Sequence, residues 1–326
     1  MKPIALDAMG GDLAPTEVVA GAVAAAAESL DVILVGDESR LKFELAALGA
    51  DLPIVHAADS IHMAEDPARA VREKAESSIN VAARLVRDGE AGAFVTAGST
   101  GAALAAATVL IGRAPGVLRP TITSFFPTPG SPTLVLDCGA NPEVKPEHIL
   151  QFALMGAVAS EVFYGVEAPR VGLLNNGEEP GKGRALEKES YVLLTNAPLN
   201  FIGNVEGRDL ATDRADVIVT DGFVGNIFLK TTEGVAQMVL RMVMEAVGGL
   251  TLPSDVLGQL AGAIQPLRDR LDYEHTGGAH LLGASGVVVI AHGSSGRLAI
   301  ANSLRQAGEG IERGLVAKIT ARLATL

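Results

Sequence analysis

Short apolar runs alternate with longer Ala-rich stretches along most of the chain, and each run ends in a polar, Gly-containing turn. PIALDA (3–8), DVILVGD (31–37), PIVHA (53–57) and AGAFVTAG (91–98) are such runs. They are rich in Val and Ile without strict alternation, which suits strands covered on both faces of a parallel sheet. Between them, TEVVAGAVAAAAES (16–29) and ESRLKFELAALG (38–49) carry helical spacing. EDPARAVREKAESSINVAARLVRDG (65–89) predicts one long helix, with Pro67 in its first turn and Gly89 at its end. TITSFFP (121–127) and PTLVLDCG (132–139) predict a consecutive strand pair, a hairpin-like excursion off the parallel sheet. PEHILQFALMGAVASEVF (146–163) and RALEKESYVLLTN (184–196) predict helices, and PRVGLLNN (169–176) a strand. ADVIVTDG (215–222) predicts a strand and turn that lead into a helix over 227–247. GVVVIAHG (286–293) predicts a strand ending in His292, and one final amphipathic helix runs on to Leu326.

Strand, turn and helix in repetition predict an α/β fold: a doubly wound, mostly parallel sheet with helices on both faces. Residues 1–326 are expected to form a single α/β domain, or one with two lobes. The rhythm breaks at 248–285, where Gly and Pro flank a short helical pattern and a charged RDRLDYEH stretch follows. This predicts a projecting helical segment that packs on the domain or a dimer partner, or touches a membrane surface reversibly.

Composition narrows the function classes. Aromatic residues make up 4% of the chain, Trp is absent, and the net charge is −12, which argues against a nucleic-acid partner. The single cysteine, Cys138, leaves no internal disulfide and fits a reducing compartment. The first residues lack the apolar core of a signal peptide, and no run of apolar residues is long enough to span a bilayer.

The candidate chemistry lies in the turns after the strands, where ligands collect in open α/β sheets. They are DAMGGD (7–12), TAGSTGA (96–102), DCGAN (137–141), NNGEEPGKG (175–183), GNVEG (203–207), DGFVGN (221–226) and AHGSSG (291–296). Glycines there let a ligand approach the backbone, and free amides at helix starts attract anions. NNGEEPGKG is a near miss for a phosphate-binding P-loop. Gly183 follows Lys182 where a hydroxyl would bind Mg²⁺, and Asn176 stands where the first Gly belongs. What survives suits an anion held without metal or nucleotide. There is no nucleophile elbow, no metal-binding His spacing and no dinucleotide fingerprint. Cys138 is read as structural, His62 and His148 as incidental, and His292 as either a capped strand end or an anion contact.

The ordered turns resemble the PlsX-type phosphate acyltransferases of bacterial phospholipid synthesis. The resemblance rests on ALDAMGGDLAP, SSINVAARLVRDGEAGAFVTAGSTGA, LRP, LVLDCGANPEVKPEHILQFALMG, LLNNGEEPGKG, FIGNVEGRDL, DVIVTDGFVGNIFLKTTEG and GGAHLLGASGVVVIAHGSS, in family order from residue 5 to 295. Ser99 and Asn176 depart from the family's usual residues. The resemblance implies a fold related to phosphotransacetylases and the isocitrate/isopropylmalate dehydrogenase group. It implies transfer of a fatty acyl group from acyl carrier protein to inorganic phosphate, without cofactor or metal. It also implies a homodimer, cytoplasmic and peripherally membrane-associated, that supplies a membrane acyltransferase. A short-chain phosphotransacylase using coenzyme A thioesters and a non-enzymatic lipid- or carrier-binding scaffold are the alternatives.

On this basis Lys182 orients phosphate and Asn226 donates to the oxyanion or a phosphate oxygen, with Glu178 orienting Lys182. Further substrate contacts are expected from Gly10, Gly11, Gly98, Ser99, Thr100, Gly101, Asn141, Gly181, Gly183, Asn204, Gly225, His292, Ser294 and Ser295. Asp7, Asp12, Asp137 and Asp221 are expected to fix the turns by accepting backbone amides, since four unpaired carboxylates would repel phosphate. Met238, Met242 and Met244 line an acyl groove or belong to the core, and Arg268 and Arg270, interleaved with Asp269 and Asp272, meet lipid or carrier protein.

Overall fold

The computed structural model describes residues 2–128, 132–248, 253–271 and 273–326. The apolar runs become β1 (Ile4–Asp7), β2 (Val32–Gly36), β3 (Ile54–His56), β4 (Ala93–Thr96), β5 (Thr121–Phe126) and β6 (Thr133–Leu136). They continue as β7 (Arg170–Leu174), β8 (Asn200–Val205), β9 (Val217–Val219), β10 (Ala279–Leu282) and β11 (Val287–Ile290). The described strands form one eleven-stranded sheet in the order β3-β2-β1-β4-β11-β10-β5-β6-β9-β7-β8.

Strands β3, β2, β1, β4 and β11 are mutually parallel, and so are β6, β9, β7 and β8. Between the two groups stand three antiparallel joints, β11/β10, β10/β5 and β5/β6. An odd number of reversals makes the two parallel groups run in opposite directions. Their carboxyl ends therefore face opposite edges of the sheet.

The predicted excursion is thus the central hinge of the sheet. β5 and β6 pair in its middle, although the turn at 129–131 lies outside the described residues. The segment expected to project to residue 285 ends sooner, because β10 is a central strand held between β11 and β5.

The helices cover both faces: α1 (Thr16–Ala27), α2 (Glu38–Ala47), α3 (Pro67–Glu73), α4 (Ser78–Arg87), α5 (Thr100–Ala106), α6 (Pro146–Tyr164) and α7 (Ala185–Thr195). Then follow α8 (Gly222–Gly248), α9 (Ser254–Leu271), α10 (Tyr273–Thr276), α11 (Arg297–Glu312) and α12 (Leu315–Leu323). The strands are buried on both faces, as in Ile4, Leu6, Phe94, Leu134 and Val217. Removing that surface from water supplies the main drive for folding.

Two helices predicted as continuous are broken. The 65–89 stretch splits into α3 and α4, because the buried Asn80 side chain donates to the carbonyls of Val71 (2.7 Å) and Lys74 (2.9 Å). Those bonds satisfy the carbonyls that end α3. The final helix breaks at Gly314, whose φ of +67° is left-handed. Helix α8 starts at Gly222, five residues before the expected position, so Asn226 stands inside its first turns. Among the described side chains from 253 to 271 none is buried, and α9 packs on α8 and α10. The side chain of Arg270 and all of Asp272 lie outside the described residues.

Candidate active site

Each parallel group ends on a buried aspartate that organises a turn. At the end of β1, Asp7 accepts from the Met9 amide (3.2 Å) and from Thr96 Oγ1 (2.7 Å), which in turn accepts from the Gly98 amide (2.9 Å). The break between α3 and α4 places the Ser78 hydroxyl on the same carboxylate. After β6, Asp137 accepts from the amides of Ile122 (3.0 Å), Ala140 (3.1 Å) and Asn141 (2.6 Å), and from Asn141 Nδ2 (2.8 Å). Burial pushes both carboxyls above the usual carboxylate range, against the pull of these hydrogen bonds.

Asp221 is a third fixed carboxylate. It receives the Val224 amide at 2.9 Å, which makes it the N-cap of α8, and it pairs with Arg184 at 2.5 Å. Asp12 departs from the expectation. Its side chain is exposed at the cleft, and its backbone amide bonds the Gly293 carbonyl (2.7 Å) instead.

A cleft of about 680 Å³ crosses the face of the middle strands beneath α8. At one end stand Asp12, Gly98, Thr100 and His292, which belong to the turns after β1, β4 and β11. At the other end stand Cys138 and Asn226, from the turn after β6 and from α8. Ile122, Phe125, Phe126, Leu229 and Ile290 give the walls their apolar character. Positions 226, 229, 230, 233 and 236 face the cleft because their spacing puts them on one side of a helix. Lys230 and Glu233 pair there at 2.9 Å.

The expected methionine wall lies elsewhere. Met238, Met242 and Met244 are exposed, neither cleft nor core, and the first two form a second stripe on α8 with Val235 and Val239. Cys138 is buried and donates to the Val135 carbonyl, and burial first of all pushes its thiol up to about 12. That makes it a poor nucleophile, as its sequence context suggests.

The loop 175–183 stands apart from the cleft lining. Lys182 is half-exposed, and its nearest carboxylate is Glu179, at 3.9 Å. Glu178 does not orient it: Glu178 pairs with Arg214 at 2.9 Å, and Arg214 also holds Asp209 at 3.0 Å. Asn204 holds the loop from beneath, its Nδ2 donating to the Glu179 carbonyl at 2.8 Å. Arg184 joins the loop to α8, since it bonds both Glu187 and Asp221.

Several expected contacts serve the protein instead. Ser99 caps α5 through the Ala102 amide (3.4 Å). Asn141 is spent on Asp137 and on the Pro120 carbonyl (2.7 Å). A Cβ at Gly225 would lie 1.8 Å from the Asp137 carbonyl oxygen, and one at Gly10 would lie 2.4 Å from an Asp7 oxygen. Gly101 meets Pro67 and Gly183 meets Glu187, whereas Gly181 faces open space. His292 and Ser294 bond each other at 2.7 Å, and the buried Ser295 hydroxyl has no partner among the described residues. Sequence reasoning missed Arg184, Thr96, Ser78 and the phenylalanines of β5. No group of His, Cys, Asp or Glu side chains able to hold a metal ion occurs among the described residues.

The fold is that of known phosphotransacylases. A phosphotransacetylase from Streptococcus pyogenes superposes with a TM-score of 0.64 at 20% identity, over 95% of this chain and 94% of the other. A 4-hydroxythreonine-4-phosphate dehydrogenase from Burkholderia phymatum shares the fold more distantly, with a TM-score of 0.51 at 17% identity and 95% and 98% coverage. The profile of the family described as "Fatty acid synthesis protein" matches residues 2–318. A phosphate acyltransferase of Pelotomaculum thermopropionicum is 46% identical over 99% of this chain and 95% of its own length. One from Desulfitobacterium hafniense is 47% identical, with 98% and 97% coverage. The chain belongs to this family, and within it to the phosphate acyltransferases, enzymes of the transferase class.

Proposed function

We propose that the chain transfers a long-chain fatty acyl group from acyl-[acyl carrier protein] to inorganic phosphate, releasing acyl phosphate and free carrier protein. The observation that carries this reading is the apolar cleft that runs beneath α8 to Asn226. Its volume falls in the range, about 300–1,000 Å³, that takes up a sizeable ligand. Thioester and phosphate meet at its Asn226 end.

Phosphate is already a nucleophile, so no acyl-enzyme is required. A phosphate oxygen attacks the thioester carbonyl carbon, and the carbonyl oxygen becomes an oxyanion. The C–S bond then breaks and the thiolate leaves, taking up a proton. The Asn226 amide donates to the oxyanion or to a phosphate oxygen. Lys182, on its flexible stem, turns from Glu179 to hold phosphate, and the open face at Gly181 leaves room for the anion. Fixing the nucleophile against the carbonyl supplies much of the acceleration. Asp7, Asp137 and Asp221 shape the turns, while Gly98, Thr100 and His292, the last bonded to Ser294, bound the far end of the substrate site. The reaction needs no metal or cofactor.

The same proposal includes assembly. The exposed stripe Val235, Met238, Val239 and Met242 meets a second copy, and the segment beyond α8 touches the membrane surface, where the product is used by a membrane acyltransferase. No described helix is long and apolar enough to cross a membrane.

The test is phosphate-dependent release of free carrier protein from palmitoyl-carrier protein, without added metal. Lys182→Ala and Asn226→Ala are expected to remain folded and to lose about two orders of magnitude in kcat. Unchanged variants would discard the residue assignment. Turnover of short acyl-coenzyme A but not of the carrier thioester would replace the donor. A wild type inactive on both would leave a binding scaffold.

A further inference from the structure

The loop 112–120, which ends in the LRP stretch, and the start of α6 carry a cluster of cations that the site has not used. Arg113, Arg119 and Lys145 are all exposed. Most arginines of this acidic chain are tied to carboxylates, as Arg170, Arg184, Arg214, Arg297, Arg305 and Arg322 are. These three make no ion pair among the described residues, although Glu143 and Glu147 are close in sequence.

The cluster is held in place. Gln151 of α6 binds the loop at the Leu118 amide (2.8 Å) and the Gly116 carbonyl (2.9 Å). Arg113 donates to the Leu118 carbonyl at 2.5 Å, in the peptide bond that joins Leu118 to Arg119. Arg119 reaches Asn141 Oδ1 at 3.5 Å. His148 accepts from the Lys145 amide (3.0 Å) and is pushed below the usual imidazole range, first by burial and next by the charge of Arg119. Glu147 opposes the effect of Arg119 on this imidazole more weakly, and Lys145 adds to it.

The position is as informative as the charge. The Asn141 carbonyl accepts from the Gly222 amide at 2.9 Å, at the start of α8. The Gly139 backbone lies against the Asn226 side chain, which an added Cβ would meet at 3.7 Å. The cations thus border the turn that forms the Asn226 end of the cleft. Exposed Leu118 lies among them.

We infer that Arg113, Leu118, Arg119 and Lys145 form the docking face for an acidic protein surface, which places a thioester carried by that protein at the Asn226 end of the cleft. The inference rests on the proposed carrier-protein donor and adds where that donor binds. A local cationic patch on an acidic protein steers an acidic partner to one spot and repels it elsewhere.

The experiment uses Arg119→Glu and Lys145→Glu, with Lys42→Glu on α2 as a control that makes the same change in net charge at the β3 edge of the sheet. Binding of palmitoyl-carrier protein is followed by fluorescence anisotropy at low and high salt, beside kcat at saturating donor. Both patch variants are expected to lose about tenfold in affinity at low salt, with kcat and melting temperature unchanged and the control like wild type. An unchanged affinity, an equal loss in the control, or a fall in kcat alone would overturn the docking face. Absence of binding by the wild type would overturn it as well. Wild-type binding without turnover would instead sink the proposed reaction, and the variants' affinities would still decide the docking face.

Discussion

At the scale of single residues, the carboxylates that end strands divide by partner rather than by type. Asp7 and Asp137 are consumed by amides and hydroxyls, Asp221 by an amide and an arginine, and Asp12 stands open at the cleft. The role of the first three is legible in sequence, because an aspartate after a buried strand and before glycines has few other places to put its oxygens. Arg184 is not legible in that way, since its partner Asp221 is 37 positions away. It links the loop of Lys182 to the first turn of α8, which carries Asn226. Truncating it leaves Asp221, only 3% exposed, without its cation. Arg184→Ala is expected to cost about 2 kcal/mol in urea-induced unfolding, the scale of a hydrogen bond to a charged group. It should also raise the KM for phosphate. Unchanged stability and unchanged KM together would show that the link is idle.

At the scale of elements, the strands and most helices follow from periodicity, because each strand is buried on both faces and each turn is marked by Gly. The break between α3 and α4 does not follow from it. Local propensity through VREKAESSINV is adequate for one helix, and the interruption is imposed by the Asn80 side chain reaching back to Val71 and Lys74. That break is what lets Ser78 reach Asp7. Asn80→Ala removes two hydrogen bonds to helix-terminal carbonyls, so a loss of about 2 kcal/mol is expected in urea unfolding. A loss of activity should accompany it as the Asp7 turn loosens. A variant as stable as wild type would mean that the two helices separate for another reason. The early start of α8 was hidden similarly: Gly222 and Gly225 read as turn residues, yet they are glycines because Asn141 and the Asp137 carbonyl press against them.

At the scale of the whole molecule, the α/β class is written in the alternation of runs, whereas the opposed directions of the two parallel groups are not. That reversal depends on β10, a strand of four residues inside a stretch that sequence alone assigned to a projection. The exposed stripe on α8 is legible only in three dimensions, since its methionines look like core at helical spacing. If it meets a second copy, sedimentation should give twice the chain mass, and Val239→Glu with Met242→Glu should give single chains. Vesicles of anionic lipid should retain the wild type if the segment beyond α8 meets the membrane. Single-chain wild type would remove the dimer, and wild type left in solution would remove the membrane contact.

The placement of β11 has a further meaning for how the protein is made. This strand fills the gap between β4 and β10, and α11 behind it packs on α1, where Gly21 sits against Ile300. During synthesis, β1 to β4 leave the ribosome long before their last neighbour exists. Until residues 287–312 emerge, the β4 edge has no pairing partner and α1 has an uncovered apolar face. The amino-terminal half is therefore the part of the nascent chain most in need of protection from aggregation, and its folding is completed by a strand and helix translated long after it.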